Sequence, residues 1–227
     1  PYRLWSNKVT KRVRPIFLTY SNGIFHLREY EFTTPQLYNS IHLIRHKKYA
    51  IQEGAINIEN IQNILNNIQV VEEPKLPFPQ ADSFERVINL CELLKQKGFI
   101  SKNDITQNYD FDYRQTNYYS SAARYLGLIK DVYENRQTGC SLTQEGFRIF
   151  NLPIVERQLE FVKLILTHTV FQNTLNLYFE KGDAPTKDEV VEIMKEAQLY
   201  NIDSEQTYRR RASTIISWIN WILGLIE

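Results

Sequence analysis

Length, composition and charge exclude several classes of protein. The 227 residues suffice for one large domain or two modest ones, and the 43% hydrophobic and 23% charged fractions are ordinary for a globular fold. The sequence contains neither a run of about eighteen apolar residues nor a signal-peptide pattern, so no membrane partner is expected. Cys91 and Cys140 are expected to be reduced thiols of a cytoplasmic protein.

The net charge of +1 is unevenly distributed along the chain. Residues 1–80 carry +4, residues 81–150 carry 0, and residues 151–227 carry −3. A DNA-binding domain usually concentrates its basic side chains on one face. A nucleic-acid partner would therefore be contacted through local clusters of cations.

The first element with a clear signal is a β-hairpin. Apolar side chains alternate over residues 16–20 and resume at Ile24, on either side of Asn22-Gly23. Asn-Gly between two such runs favours a tight hairpin, because both central residues of a type I′ turn need positive φ.

A strand, a helix and a proline-rich segment follow. Residues 38–51 predict the strand, and residues 58–70 predict the helix because their apolar side chains recur at helical spacing. Residues 72–81 contain three prolines, which have no N–H to donate and disfavour helix before them. We therefore expect a β-rich region over residues 1–71, and a linker or extended strap with a domain boundary at residues 72–81.

Residues 82–152 predict a winged helix-turn-helix. Apolar residues recur at helical spacing from Phe84 to Leu94, after the capping residue Ser83 and before Gly98, a typical helix stop. Ser101 opens a second, short helix. The expected wing has its turn at residues 135–139, and Thr143 caps the helix that follows it.

The third helix of this unit begins at the capping box Asp112–Gln115. Its small residues Ala122 and Ala123 would let it pack closely against the first helix. The side chains predicted to face outward are Arg114, Gln115, Asn117, Ser120, Ser121 and Arg124. Gln and Asn can pair with adenine and Arg with guanine, so this face suits base recognition in the major groove. Any solvated helix face has a similar composition.

Residues 153–227 predict a helical domain with a second, wingless helix-turn-helix. A long apolar helix over residues 161–179, a helix capped by Thr186 and a last helix capped by Thr207 follow the order of the first unit. Both units end in Leu-Gly-Leu-Ile, which indicates an internal repeat or a coincidence of four residues.

Three consecutive arginines, Arg209, Arg210 and Arg211, lie in the first turn of that last helix. The helix dipole disfavours cations there, so the cluster indicates an anionic partner such as phosphate. The alternative is that the three side chains diverge and one pairs with Glu205. Further along the helix, tryptophans 218 and 221 are expected in the core.

One family resemblance covers residues 81–227. It rests on the runs SFERVINLCELLKQKG, ITQNYDFDYRQTNYYSSAARYLGLI, LTQEGFRIF and TYRRRASTIISWINWI. These runs resemble the winged-helix DNA-recognition region of bacterial type II restriction endonucleases. The resemblance implies that DNA is faced by Arg114, Gln115, Asn117, Ser121 and Arg124 of the first unit and by Arg209, Arg210 and Arg211 of the second. It also implies a separate nuclease domain, for which Mg²⁺ would be the cofactor.

Two weak nuclease motifs lie in the N-terminal region. Glu29 and Glu31 alternate on one strand, but no lysine follows at the spacing of an Asp/Glu-x-Lys metal site, so we interpret them as a solvated face.

The second motif runs from His46 to Glu53 and nearly matches the HxKxxxxD pattern of nucleases that form a phosphohistidine. The change of Asp to Glu and the single copy argue against that chemistry. The basic side chains there, Lys47 and Lys48 among them, fit phosphate contact at least as well.

The whole sequence predicts an α+β protein, with a small β-rich N-terminal region followed by mainly α tandem winged helix-turn-helix units. The expected function is sequence-specific recognition of double-stranded DNA as part of a type II restriction endonuclease. The nuclease active site is expected to lie outside this chain. The chain itself is expected to hold no cofactor and no metal. A winged-helix transcriptional regulator and a protein–protein interaction module are the alternatives, and the oligomeric state considered is a homodimer.

Overall fold

A computed structural model describes residues 2–21, 23–50, 54–101, 103–104, 113–134, 136–197 and 199–226. It confirms the α+β fold class, with a three-stranded antiparallel sheet first and a mainly helical remainder. The chain divides into two compact units, Pro1–Gln52 and Glu53–Glu227. Within the described ranges, none of the helices combines the length and apolar composition that crossing a bilayer requires.

The first unit is built on a sheet of strand order β1-β2-β3. Its elements are α1 (Tyr2–Ser6), β1 (Ile16–Ser21), β2 (Ile24–Phe32) and β3 (Ile41–Ala50). Ser21 pairs with Ile24 at the end of the first hairpin, and Gly23 has φ 76°. The hairpin predicted from Asn-Gly is therefore confirmed, as is a strand within residues 38–51.

The two units have opposite net charges. Residues 1–52 contain nine Lys or Arg and two Asp or Glu, a net charge of +7. Residues 53–227 contain eighteen Lys or Arg and twenty-four Asp or Glu, a net charge of −6. The nearly neutral chain therefore consists of a basic unit and an acidic one.

The second unit begins with α2 (Ile58–Asn67), α3 (Phe84–Lys97), β4 (Ile100–Ser101) and α4 (Tyr113–Tyr125). The hairpin of β5 (Ile129–Glu134) and β6 (Gln137–Leu142) follows, and the three strands form a sheet of order β4-β6-β5. The chain continues with α5 (Gln144–Phe150), α6 (Ile154–Leu166), α7 (Thr169–Lys181), α8 (Lys187–Glu196) and α9 (Glu205–Leu223).

The elements from α3 to α5 follow the order predicted for a winged helix. Helix α3 ends at Gly98, which has φ 77°, and it packs against α4, where Ala122 and Ala123 are fully buried. Glu134 pairs with Gln137, so the turn of the wing is shorter than the predicted residues 135–139. Of the predicted second helix, residues 103–104 are helical. Its remainder, and Asp112 of the capping box, fall in residues 105–112, outside the described residues.

The predicted caps differ in how far they are realised. The side chain of Thr143 accepts a hydrogen bond from the N–H of Gly146 at 2.9 Å, and Thr186 and Glu189 form a reciprocal capping box. Both predicted caps are therefore confirmed. Ser83 occupies the N-cap position of α3, but its side chain makes no capping hydrogen bond.

The proline-rich segment is a strap inside the second unit. Phe78 and Ala81 are buried, and the carbonyl of Ala81 accepts a hydrogen bond from Nε1 of Trp218 at 2.9 Å. The boundary predicted at residues 72–81 is corrected, since the units divide between Gln52 and Glu53. Helix α2, predicted to belong to the β-rich region, packs on α6 and belongs to the second unit.

One aromatic core joins the two predicted helix-turn-helix regions. The ring of Phe84 lies 4.9 Å from Trp218, 5.8 Å from Phe161 and 4.5 Å from Trp221, measured between centroids. Trp218 is fully buried, as predicted, and Trp221 is half-buried. The separate domains predicted over residues 82–152 and 153–227 are parts of one unit, because α3, α6 and α9 bury each other's apolar side chains.

Two helix predictions in the last third of the chain are corrected. The helix predicted over residues 161–179 is two helices, α6 and α7, which separate at Thr167 and His168. The N-cap of α9 is Ser204, whose hydroxyl accepts a hydrogen bond from the N–H of Thr207 at 3.3 Å. The predicted cap, Thr207, is therefore inside the helix.

The two Leu-Gly-Leu-Ile segments have different backbones. Gly127 has a left-handed φ of 69°, whereas Gly224 has a right-handed φ of −72°. Ile129 then begins β5, while Ile226 forms an isolated parallel bridge with Ile56. The shared sequence thus does not impose the same local structure, and the internal repeat stays a prediction.

A buried polar cluster binds the strap to α4 and to the break between α6 and α7. The hydroxyl of Tyr125 donates a hydrogen bond to the carboxylate of Glu73, and Nδ1 of His168 lies 3.3 Å from the same oxygen. The rings of Tyr125 and His168 stack with centroids 4.2 Å apart. Burial, reinforced by the Glu73 carboxylate, raises the pKa of Tyr125, so the phenol keeps its proton.

Tyr125→Phe tests the contribution of this cluster to stability. The ring packing is kept, but the half-buried Glu73 carboxylate loses one of its two hydrogen-bond partners among the described residues and keeps only His168, so we expect the free energy of unfolding to fall by about 1–3 kcal/mol. Chemical denaturation measures the change, with Tyr133→Phe, at a 72% exposed position, as the matched control. An unfolding midpoint that does not change in Tyr125→Phe contradicts the prediction.

Glu189→Gln tests the capping box of α8 through its pH dependence. Hydrogen bonds from Lys181 and from the N–H of Thr186 lower the pKa of Glu189 from 4.5 to about 2. A lowered folded-state pKa stabilises the protein above the unfolded value and loses that effect as pH falls through the folded value. The difference in Tm between wild type and Glu189→Gln should therefore shrink from about pH 6 to about pH 2. Glu196→Gln in the same helix is the control, and a pH-independent difference would refute the linkage.

Candidate nucleic-acid interface

Helices α4, α8 and α9 and the strap meet at a cavity of about 310 Å³. Its lining consists of Gln80, Asp82, Tyr118, Tyr119, Lys187, Arg210, Ser213 and Thr214. The amino-terminal half of α9, which carries the arginine triplet, therefore lies beside the helix predicted to read DNA.

The cavity has two cations in its lining, Lys187 and Arg210. Lys187 and Arg210 are exposed, and neither forms an ion pair within the part of the chain that the structure describes. The one carboxylate of the lining, Asp82, accepts a hydrogen bond from the hydroxyl of Tyr119 at 2.8 Å. The lining thus carries the two positive charges of Lys187 and Arg210, the one negative charge of Asp82, and the half-buried Tyr118.

The three arginines have three different environments. Arg209 pairs with Asp188 at 2.6 Å and lies 3.7 Å from Glu205, so the alternative that one arginine pairs with Glu205 is confirmed. Arg210 lines the cavity. Arg211 is half-buried, and burial together with neighbouring Arg210 lowers its pKa. Its Nε is buried without a hydrogen-bond partner among the described residues.

The face of α4 is less open than its helical pattern predicts. Asn117 and Ser121 are half-buried, and Ser120, predicted to face outward, is buried and donates a hydrogen bond to the carbonyl of Asn117 at 3.2 Å. The guanidinium of Arg124 lies 3.1 Å from the carboxylate of Asp131 in β5, so it ties the helix to the wing.

The two side chains expected to contribute most to base recognition lie at the start of α4. The backbone of Arg114 and Gln115 is helical. Their side chains lie outside the described residues, so their role stays a prediction.

The N-terminal candidates lie on the sheet of the first unit. Lys47 pairs in register with Leu27 and Lys48 with His26. Since successive side chains of a strand point to opposite faces, Lys47 and Lys48 serve different surfaces.

Glu29 and Glu31 are engaged by arginines. Arg14 contacts Glu29 through two hydrogen bonds of 2.5 and 2.6 Å, which lower the pKa of that carboxyl group. The interpretation of Glu29 as part of a solvated face is corrected, because Glu29 is buried. Glu31 remains exposed and pairs with Arg12 at 3.1 Å.

The described residues do not form a metal centre, and their two thiols are buried. Within the described ranges, the structure brings together no group of three His, Cys, Asp or Glu side chains that could hold a metal ion. Cys91 and Cys140 are buried free thiols, and burial raises the pKa of Cys91. In the HxKxxxxE motif, the rings of His46 and His26 are joined by a hydrogen bond of 3.1 Å, and Glu53 lies outside the described residues.

Sequence reasoning missed Lys187, Tyr118 and Ser213. Lys187 directly follows the cap Thr186, a position that indicates only the start of a helix, and Tyr118 lies beside the apolar face of its own helix. No local signal shows that these residues share a cavity, because they come from helices that are distant in sequence.

The chain belongs to the family described as Domain of unknown function (DUF7226), whose model matches residues 86–227. A second family, Domain of unknown function (DUF6997), matches residues 1–50. No curated protein and no solved structure matches the chain. The two matched ranges fall in different compact units, one family in each.

Proposed function

We propose that the second unit binds double-stranded DNA and reads its sequence with the amino-terminal turns of α4. The observation that carries the proposal is the cavity where Lys187 and Arg210, which form no ion pair with any described residue, lie beside that helix. Cations at this position would contact phosphates and fix the register of the protein, while polar side chains of α4 contact base edges. The winged-helix order of elements supports the same mode of binding.

A protein–protein interaction module is the second candidate. The net charge of −6 over residues 53–227 favours it, because a polyanion is repelled by an acidic surface. The two candidates differ in their response to salt, since release of counterions makes DNA binding weaken steeply as salt rises.

On the sequence resemblance alone, we extend the proposal: the chain recognises DNA as part of a type II restriction endonuclease. We assign no catalytic residue among the described residues, and Mg²⁺ would act in the associated nuclease domain. A palindromic site bound by two copies without Mg²⁺-dependent cleavage would instead support a transcriptional regulator.

Arg210→Ala and Arg209→Ala form a matched pair that tests the phosphate contacts. We expect Arg210→Ala to weaken duplex binding on all sequences and to reduce the salt slope by about one phosphate contact. Arg209→Ala should have a smaller effect, because Asp188 already engages its guanidinium. Fluorescence anisotropy with a mixed-sequence duplex measures both. Equal effects of the two variants, or binding that is insensitive to salt, would count against this interface.

Substitutions at the start of α4 test base recognition. Arg114→Ala, Gln115→Ala and Asn117→Ala should each relax the preference at one base pair by about 1–3 kcal/mol. Sequencing of selected duplex sites measures the preference, and Gln96→Ala on the exposed side of α3 is the control. If the preference is unaltered in all three variants, α4 is not the recognition helix.

A further inference from the structure

The sheet of the first unit carries a solvent-exposed row of aromatic side chains. Tyr20 pairs with Phe25, and Phe25 pairs with Tyr49, so all three point to one face of the sheet. Tyr20 and Tyr49 are 64% and 50% exposed, and the centroids of the Tyr20 and Phe25 rings are 4.8 Å apart. We call these three residues the aromatic row.

Cations lie next to the aromatic row on the same face. In the adjacent rows, Lys47 pairs with Leu27 and Arg45 pairs with Glu29. A cavity of about 130 Å³ on this face is lined by Arg14, Ile16, Leu27, Glu29, Arg45, Lys47 and Tyr49. The aromatic row therefore borders a surface where basic side chains converge.

Glu29, the single carboxylate of that lining, does not neutralise the basic side chains around it. Glu29 lies 2.5 Å from Arg14 and 4.0 Å from Arg45, so two guanidinium groups share one negative charge. Lys47 forms no ion pair within the described part of the chain. This excess agrees with the net charge of +7 over residues 1–52.

We propose that this face binds single-stranded nucleic acid, with bases stacked on Tyr20 and Tyr49 and phosphates held by Arg45 and Lys47. Stacking on a protein ring needs an unpaired base with a free face, which a single strand offers and an intact duplex does not. The positive charge beside the aromatic row then follows the phosphate backbone. The inference does not depend on duplex binding by the second unit, because it rests on other residues in the other unit.

Docking of a protein is the main rival, since Ile16 and Leu18 of β1 are 53% and 57% exposed on the same face. The charge of the face favours nucleic acid over an apolar partner, because burying Arg45 and Lys47 against apolar side chains would cost their solvation. A second copy of the chain, through its acidic unit, is the protein partner that the charges would allow.

The test uses the full chain and a fluorescent oligo(dT) of about twenty nucleotides, longer than a typical stacking site. We expect Tyr20→Ala with Tyr49→Ala to weaken binding roughly tenfold or more by anisotropy, and Tyr49→Phe to retain it. Lys47→Ala should weaken binding and lower its salt dependence. Tyr133→Ala, in the second unit, should leave oligo(dT) binding unchanged.

Three results would overturn the proposal: no oligo(dT) binding at low salt, binding unaffected by the double tyrosine variant, or equal competition by a duplex of the same length. Sedimentation distinguishes the rival. If the wild-type chain is a dimer that does not bind oligo(dT), and the double tyrosine variant is a monomer, the face docks a second copy of the chain. Loss of oligo(dT) binding in the double tyrosine variant, with duplex binding unchanged, separates this proposal from the proposed function.

Discussion

The second unit depends on one interaction, the hydrogen bond from the buried indole of Trp218 to the strap. An indole N–H that leaves water needs an acceptor, and the carbonyl of Ala81 in the strap supplies it at 2.9 Å. The same ring stacks on Phe171 and contacts Phe84 edge-on, so it joins α3, α7 and α9. An apolar contact could slide, whereas this hydrogen bond sets the strap against α9 at one position.

The position of the strap then determines the geometry of the candidate interface. The carbonyl of Asp82 accepts a hydrogen bond from Ser217 at 2.5 Å, and its carboxylate accepts one from Tyr119 in α4 at 2.8 Å. Asp82, which directly follows the strap, thus connects α9 with α4. The cavity that holds Lys187 and Arg210 exists because these two helices are held beside the strap.

The candidate site could be predicted in part. Arg210 follows from the arginine triplet, and the start of α4 follows from its capping pattern and polar composition. Helical periodicity gives the faces of one helix but not what covers each face. A helical wheel places both Ser120 and Arg124 outward. In the structure, however, Ser120 is buried and Arg124 pairs with Asp131, because other segments of the chain cover that face.

Charge shows the same limit. Divided at the proline-rich segment, the sequence shows only a modest positive excess in its first part, because acidic residues that pack in the second unit are counted with the basic sheet. Divided where the chain folds, it separates into +7 and −6. An electrostatic argument about a partner therefore needs the correct boundary first.

By itself, the sequence determined the features that depend on neighbouring residues: the hairpin at Gly23, the end of α3 at Gly98, and the caps at Thr143 and Thr186. Each follows from backbone sterics or from hydrogen bonds that span a few residues. Only the tertiary structure decided that the prolines form a strap, that the two helical regions share one core, and that Arg209 pairs with Asp188 while Arg210 lines the cavity. Those outcomes depend on contacts between distant segments, such as Trp218 with Ala81 and Arg209 with Asp188, whose energies appear only when the chain brings the partners together.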